Sequence, residues 1–222
     1  MPHFQQLNLH KAEQATVLLA GDLAGKSNQV LLVTEPYSVA GKIVGMPSGM
    51  RTVQHYDSAQ RPLAPRAGII ATADVQLRSL QSYCSRDCAA ALARLHGTDT
   101  LVISAYLDIN LPVIQPWLPK LLRLAATKKW AVLIGMDSNA HSPLFGPDSN
   151  VRGEELEDLI LDHGLSVENL GNTPTFETRR GNCHIATHID ITLSRDLPYE
   201  LQRWHVSQEY NASDHNLSLI HI

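Results

Sequence analysis

No stretch of this sequence is apolar for long enough to span a bilayer, which takes about 20 residues. The N-terminal Met1-Pro2-His3-Phe4-Gln5 lacks the charged-then-apolar pattern of an export signal. The chain is therefore expected to have no membrane partner. Cysteine is scarce, with three residues. Cys84 and Cys88 are four apart and Cys183 stands alone, which falls short of the two close pairs of a zinc site. They read as reduced thiols of an intracellular protein. A cationic excess is missing too. A net charge of −4 with eleven histidines counts against a protein that holds nucleic acid by charge alone. It leaves room for an enzyme that grips phosphates through a metal and a few local cations. There is no Pro/Gly/Ser-rich linker and no internal repeat. With 222 residues, 44% of them hydrophobic, the chain is expected to form a single domain over 1–222 with a real core.

What is present is a series of short apolar runs. Phe4–Leu9, Gln29–Thr34, Arg66–Ala71, Val75–Ser82, Cys88–Leu95, Thr100–Leu107 and Trp130–Ile134 read as strands. His188–Leu193, Arg203–Ser207 and Leu217–Ile222 complete the set, and His96-Gly97-Thr98-Asp99 reads as a hairpin turn. Helical spacing appears in Lys11–Ala24, Pro112–Ala126 and Arg152–His163, the last stopped by Gly164. Val39–Pro65 is loop-rich. Asn172–Thr178 leads to a turn at Arg179-Arg180-Gly181-Asn182, a second hairpin. Many strands with three dispersed helices fit two sheets packed face to face with helices outside.

Polar groups stand repeatedly at strand ends: Asn8, Glu35, Tyr106, Asp137 with Asn139, Asp190, and Asp214 with His215. One end of a rigid sheet scaffold is where catalytic residues commonly sit. The stretch Gly135–Gly146 (G-M-D-S-N-A-H-S-P-L-F-G) is the centre of this pattern. Asp137, Asn139 and His141 fall at alternate positions, and alternate side chains of an extended chain share a face. Asp137 and Asn139 are expected to project together. The carboxylate could hold a metal or take a proton from water, and the amide could donate to a phosphoryl oxygen. The plainer reading of the same residues is an Asx-rich turn. Asp190, between Ile189 and Ile191 in an alternating strand, is expected to face away from both. His184 and His188 have the spacing of a metal pair on a helix, but the strand pattern speaks against it. His141, His163, His184 and His205 read as surface or supporting groups.

These segments together resemble the endonuclease/exonuclease/phosphatase superfamily, which includes deoxyribonuclease I and the apurinic/apyrimidinic endonucleases. The nearest likeness is to the endonuclease domain of non-LTR retrotransposons. It is carried by Q-L-N-L-H-K-A (6–12), L-V-T-E-P-Y (32–37), S-A-Y (104–106), Gly135–Gly146 and R-G-E-E-L-E-D-L-I (152–160). N-T-P-T-F (172–176), T-H-I-D-I-T-L-S (187–194) and S-D-H-N (213–216) continue it in the family's order. His10 departs from the acidic residue of the repair enzymes, and His188 from a position often aromatic or apolar.

The resemblance implies a deoxyribonuclease I-like four-layer α/β/β/α sandwich of two mainly antiparallel sheets. It also implies one endonuclease domain of a larger polyprotein with a reverse transcriptase, acting in the nucleus on double-stranded DNA. The expected reaction is a Mg²⁺-dependent nick, with Mn²⁺ as a substitute, leaving a 3′-hydroxyl for target-primed reverse transcription. Glu35 is the expected metal ligand, helped by Asp214 and with Asn8 adjacent. Asp137 would orient or deprotonate the attacking water, and Asn139 would hold that water or a phosphoryl oxygen. His215 would neutralise phosphate charge, supported by Asp190 on its other ring nitrogen, and Tyr106 would donate its phenol. Arg179, Arg180 and His141 are the expected DNA contacts. The alternatives are a phosphatase or phosphodiesterase acting on a small phosphorylated substrate, and an inactive DNA-docking module. The intact acid, amide and histidine set argues against the latter.

Overall fold

The computed structural model describes residues 3–56, 59, 62–198 and 203–221. The elements run β1 (His3–Asn8), α1 (Glu13–Leu23), β2 (Gln29–Thr34), β3 (Ser38–Val39), β4 (Lys42–Ile43), β5 (Arg51–Val53), β6 (Ala67–Ala71), β7 (Leu77–Ser79), β8 (Cys88–Leu95) and β9 (Thr98–Tyr106). They continue with α2 (Trp117–Lys128), β10 (Ala131–Asp137), α3 (Val151–Asp162), β11 (Ser166–Val167), β12 (Phe176–Arg180), β13 (Cys183–Thr187), β14 (Asp190–Arg195), β15 (Arg203–Val206) and β16 (Ser218–His221). Ile222, expected at the end of the last strand, lies outside the described residues.

Two six-stranded sheets form, in the orders β15-β16-β1-β2-β6-β5 and β11-β14-β10-β9-β8-β7. In each, one central pair is parallel (β1 with β2, β9 with β10) and the other pairings are antiparallel. Three apolar clusters mark the interfaces of four layers. Leu7, Leu31, Val33 and Ile70 on one face of the first sheet meet Ala15, Leu19 and Leu23 of α1. Phe4, Val30, Leu32 and Ile69 meet Ala89, Ala91, Val102 and Leu133 between the sheets. Leu101, Ile103, Ile134 and Ile191 on the far face of the second sheet meet Leu118, Leu121 and Leu122 of α2 and Leu156 and Ile160 of α3. This is the α/β/β/α sandwich. The central strands are buried on both faces, which is why they read as continuous apolar runs rather than alternating ones. A polar bridge also crosses the interior: Gln6 Nε2 donates to the Met136 carbonyl, Thr192 Oγ1 to Gln6 Oε1 and Trp204 Nε1 to Thr192 Oγ1.

Among the boundaries that differ from expectation, three have a clear local cause. The turn after β8 is the two-residue His96-Gly97, both at positive φ (47° and 80°). That geometry matches the twist of the flanking strands, so Thr98 and Asp99 belong to β9. Val75–Ser82 yields only the three residues of β7, followed by a 3₁₀ turn over Gln81–Tyr83. Helix α2 starts at Trp117 rather than Pro112, because the residue before Pro116 is disfavoured in the helical region.

Candidate active site

The strand directions bring the polar ends to one edge. Parallel β1 and β2 finish together at Asn8 and Thr34. Parallel β9 and β10 finish at Tyr106 and Asp137, which are register partners. Antiparallel β14 begins beside them, with Asp190 opposite Asp137. The loop into antiparallel β16 supplies Asp214 and His215. Asn8, Asp137, Asp190 and His215 are all buried.

Two hydrogen bonds organise the centre. Asn8 Nδ2 donates to Asp137 Oδ2 at 2.8 Å, joining the two sheets. His215 Nδ1 and Asp190 Oδ2 are 2.7 Å apart, which leaves His215 Nε2 for a substrate. Thr175 Oγ1 accepts from the backbone N–H groups of Ile189 and Asp190, and Phe176 packs edge-on against His215 with centroids 4.8 Å apart. Asp190 Oδ1 is buried without a hydrogen bond. Asp137, Asp190 and His215 each offer one ligand atom within 4.8 Å of the others.

The charges are strongly coupled. Burial, then the neighbouring Asp190 charge, push the Asp137 carboxyl up to about 7. Burial by itself would lower His215, but the charge and hydrogen bond of Asp190 outweigh it and lift the imidazole to about 9. Burial and the Glu35 and Asp137 carboxylates raise the Tyr106 phenol to about 12, so it remains a donor at neutral pH. This pattern places a nearly neutral base beside an imidazolium, as acid–base chemistry requires.

Glu35 stands at the same edge, paired with Lys11 Nζ at 2.7 Å. His10 Nδ1 lies 3.1 Å from Asp214 Oδ1, without hydrogen-bond alignment, so this buried oxygen has no hydrogen-bond partner. His10, Lys11, Glu35 and Asn139 all hold positive φ. Left-handed backbone at non-glycine residues carries strain that tends to gather at functional sites. Glu35 and Asp214 carry the hard oxygen atoms that could hold a Mg²⁺ ion. Their ion-pair partners are an exposed lysine and a misaligned imidazole, which a metal can displace. The Asp137, Asp190 and His215 cluster suits a metal less well, since an imidazole held protonated by Asp190 is not a ligand.

Other expected residues fall as follows. The alternation of β10 stops at Asp137. Asn139 turns away from the strand: its backbone N–H donates to Asp137 Oδ1 at 3.3 Å and its Nδ2 to the Leu107 carbonyl at 3.2 Å. The stretch is thus an Asx turn at the edge where Asp137, Asp190 and His215 meet. Arg179 and Arg180 are exposed but not at the hairpin tip. They lie in β12, opposite His184 and Cys183, and the turn is Gly181-Asn182. His141 is half-buried, and its backbone is engaged with Asn150 beside the start of α3. His184 is on a strand, 3.5 Å from Glu177, as its pattern implied.

Arg66 was not singled out by sequence. Its guanidinium binds Asp87 through Nε and Nη2 (2.5 and 2.6 Å) and Asp108 through Nη1 (2.5 Å), and it stacks 4.7 Å above the Tyr106 ring. Thr175 was missed as the group that orients Asp190, and so was Ser213, whose Oγ donates to the Asn8 carbonyl. A larger cavity of about 500 Å³ lies elsewhere, lined by His3, Gln5 and His205 among others. It is remote from the Asn8 end of β1.

Residues 100–219 match the family described as endonuclease-reverse transcriptase, over more than half of the chain. The chain belongs to the endonuclease-reverse transcriptase family. Solved structures agree with this family's fold. The endonuclease domain of TRAS1, a telomere-specific non-LTR retrotransposon, superposes with a TM-score of 0.85 at 24% identity, covering 100% of this chain and 98% of that one. An AP endonuclease from Archaeoglobus fulgidus gives 0.66 at 14%, covering 99% and 98%. The 3′–5′ exonuclease NExo from Neisseria meningitidis gives 0.66 at 16%, covering 98% of each. No curated protein matches the chain. Among the described residues no helix is long and apolar enough to cross a membrane.

Proposed function

We propose that this family member is a divalent-metal-dependent endonuclease that nicks double-stranded DNA. The observation that carries this reading is a buried Asp137, held by Asn8 at 2.8 Å, beside a buried His215 held by Asp190 at 2.7 Å. A metal held by Glu35 and Asp214, with Mg²⁺ the natural choice and Mn²⁺ a substitute, would neutralise phosphate charge. Asp137, once deprotonated, takes a proton from the water that attacks phosphorus, while Asn8 fixes the carboxylate. The phosphorus–O3′ bond breaks and the 3′ oxygen takes up a proton from solvent. His215, as imidazolium, donates Nε2–H to a non-bridging oxygen and offsets the charge that develops there. The protonated Tyr106 donates to the same phosphate, and Asn139, through its backbone N–H, helps to hold the Asp137 carboxylate. A 3′-hydroxyl product suits priming by a reverse transcriptase fused to this domain, as the family description suggests, and action in the nucleus. Extension of the nick by an added polymerase tests that end chemistry; a blocked 3′ end contradicts it.

Two measurements follow directly. kcat/KM is expected to rise with pH through about 7 as Asp137 loses its proton, and to fall above about 9 as His215 loses its own. A profile flat from pH 6 to 10 removes both roles. Lys11→Met should tighten Mg²⁺ binding by up to about fivefold, the scale of an exposed ion pair. The readout is the Mg²⁺ concentration that raises Tm. An unchanged midpoint means that Lys11 does not compete with the metal for Glu35.

A further inference from the structure

Beside the catalytic edge runs a groove of about 460 Å³, within the range of sites that hold small organic groups. One wall is the β12–β13 hairpin, with Glu177, Arg179 and His184; the other is the loop of Tyr210 and Ser213, and Asp214 lines the end nearest His215. Tyr210 is 79% exposed. A single exposed aromatic is ordinary on a protein surface, but two further observations set this one apart. The first is anchoring. Asn211, next in the chain, donates from Nδ2 to the His215 carbonyl at 2.9 Å and accepts from the Ser213 N–H. Across the groove, the Glu177 N–H donates to the Asp214 carbonyl and Phe176 bridges to His215. Both walls are therefore tied to the catalytic histidine. The second is charge. Arg179, which lines the same groove as Tyr210, makes no ion pair among the described residues.

We propose that this groove is a nucleobase subsite, in which Tyr210 stacks on a base displaced from the duplex stack next to the scissile phosphate and Arg179 holds the adjoining backbone phosphate. The subsite rests on the nuclease reading above. An aromatic face accepts any base, and a guanidinium takes phosphate bidentately. Glu177 and His184 reach the base edge and supply the polar contacts through which one base can be preferred. Arg180, on the opposite face of the hairpin, takes no part.

The test uses the whole chain in EDTA with a fluorescein-labelled, mixed-sequence duplex, followed by anisotropy, alongside plasmid nicking by the wild type with Mg²⁺. Tyr210→Ala and Tyr210→Leu are expected to weaken binding at least about fivefold, the loss of one base–aromatic stack, and Tyr210→Phe to restore it. Irradiated duplex carrying 5-iodouracil should cross-link to Tyr210 in the wild type. Alanine and leucine variants that bind like the wild type, with no cross-link, overturn the subsite while the nuclease reading stands. A wild type that neither binds nor nicks overturns the nuclease reading and the subsite with it.

Discussion

Asp137→Asn is expected to lower kcat by about 10²–10⁴-fold, the contribution of a positioned general base, and yet to raise thermal stability above pH 7. The two effects have one cause. Asp137 is 2% exposed and lies against Asp190, so its ionised form is penalised by burial and by like charge, and its pKa rises to about 7. A group whose folded pKa exceeds its unfolded value contributes stability that is present below the unfolded pKa and lost as pH rises through the folded one. For Asp137 that window runs from its ordinary 3.8 to about 7. His215 follows the same sign between 6.5 and about 9. The wild type should therefore lose stability from pH 4 to pH 9, in two overlapping steps. Asparagine can still accept from Asn8 Nδ2 and carries no charge. Its stability gain should be largest near pH 8 and vanish near pH 4. Thermal melts of both proteins across that range check this. A variant less stable than the wild type at pH 8 contradicts the assignment of a strained, buried base.

The second large effect is at Arg66. Its side chain is 11% exposed and its partners Asp87 and Asp108 each 18%. Three hydrogen bonds of 2.5–2.6 Å hold it. Backbone bonding from Asn110 and the Arg66 charge hold Asp108 down at about 2. Arg66→Met leaves two carboxylates unpaired. Breaking a buried pair costs 3–5 kcal/mol, and the partial exposure here puts the loss at about 3 kcal/mol. For a chain of this size Tm should fall by about 6–12 °C. Nicking should weaken as well, because Arg66 supports the face of Tyr106. Arg66→Lys should recover little, since an ammonium cannot replace the bidentate fork. A melting temperature within 2 °C of the wild type would rule out this network as a structural support.

The sheets were legible in the sequence because their central strands are apolar runs ended by polar residues. That same punctuation marks Asn8, Glu35, Tyr106, Asp137 and Asp190, and strand direction gathers them at one edge. Arg66, Asp87 and Asp108 were not legible. Each sits at or beside a strand end with no partner nearby in sequence to single it out, and only the approach of β6 to the loops before β8 and after β9 makes them a network. Nothing in His10-Lys11 signals two consecutive left-handed residues, so their pairing with Asp214 and Glu35 could be seen only in three dimensions. The hairpin moved by two residues because Arg179 and Arg180 tolerate a strand as well as a turn, and Gly181 at φ 60° is what takes the bend.

The most direct measurement is conversion of supercoiled plasmid to open-circular DNA by the wild type and by Asp137→Asn, each with Mg²⁺ and with EDTA. Nicking is expected from the wild type with Mg²⁺ and in no other lane. Equal nicking by a folded Asp137→Asn variant, or an intact plasmid with folded wild type and Mg²⁺, would contradict it.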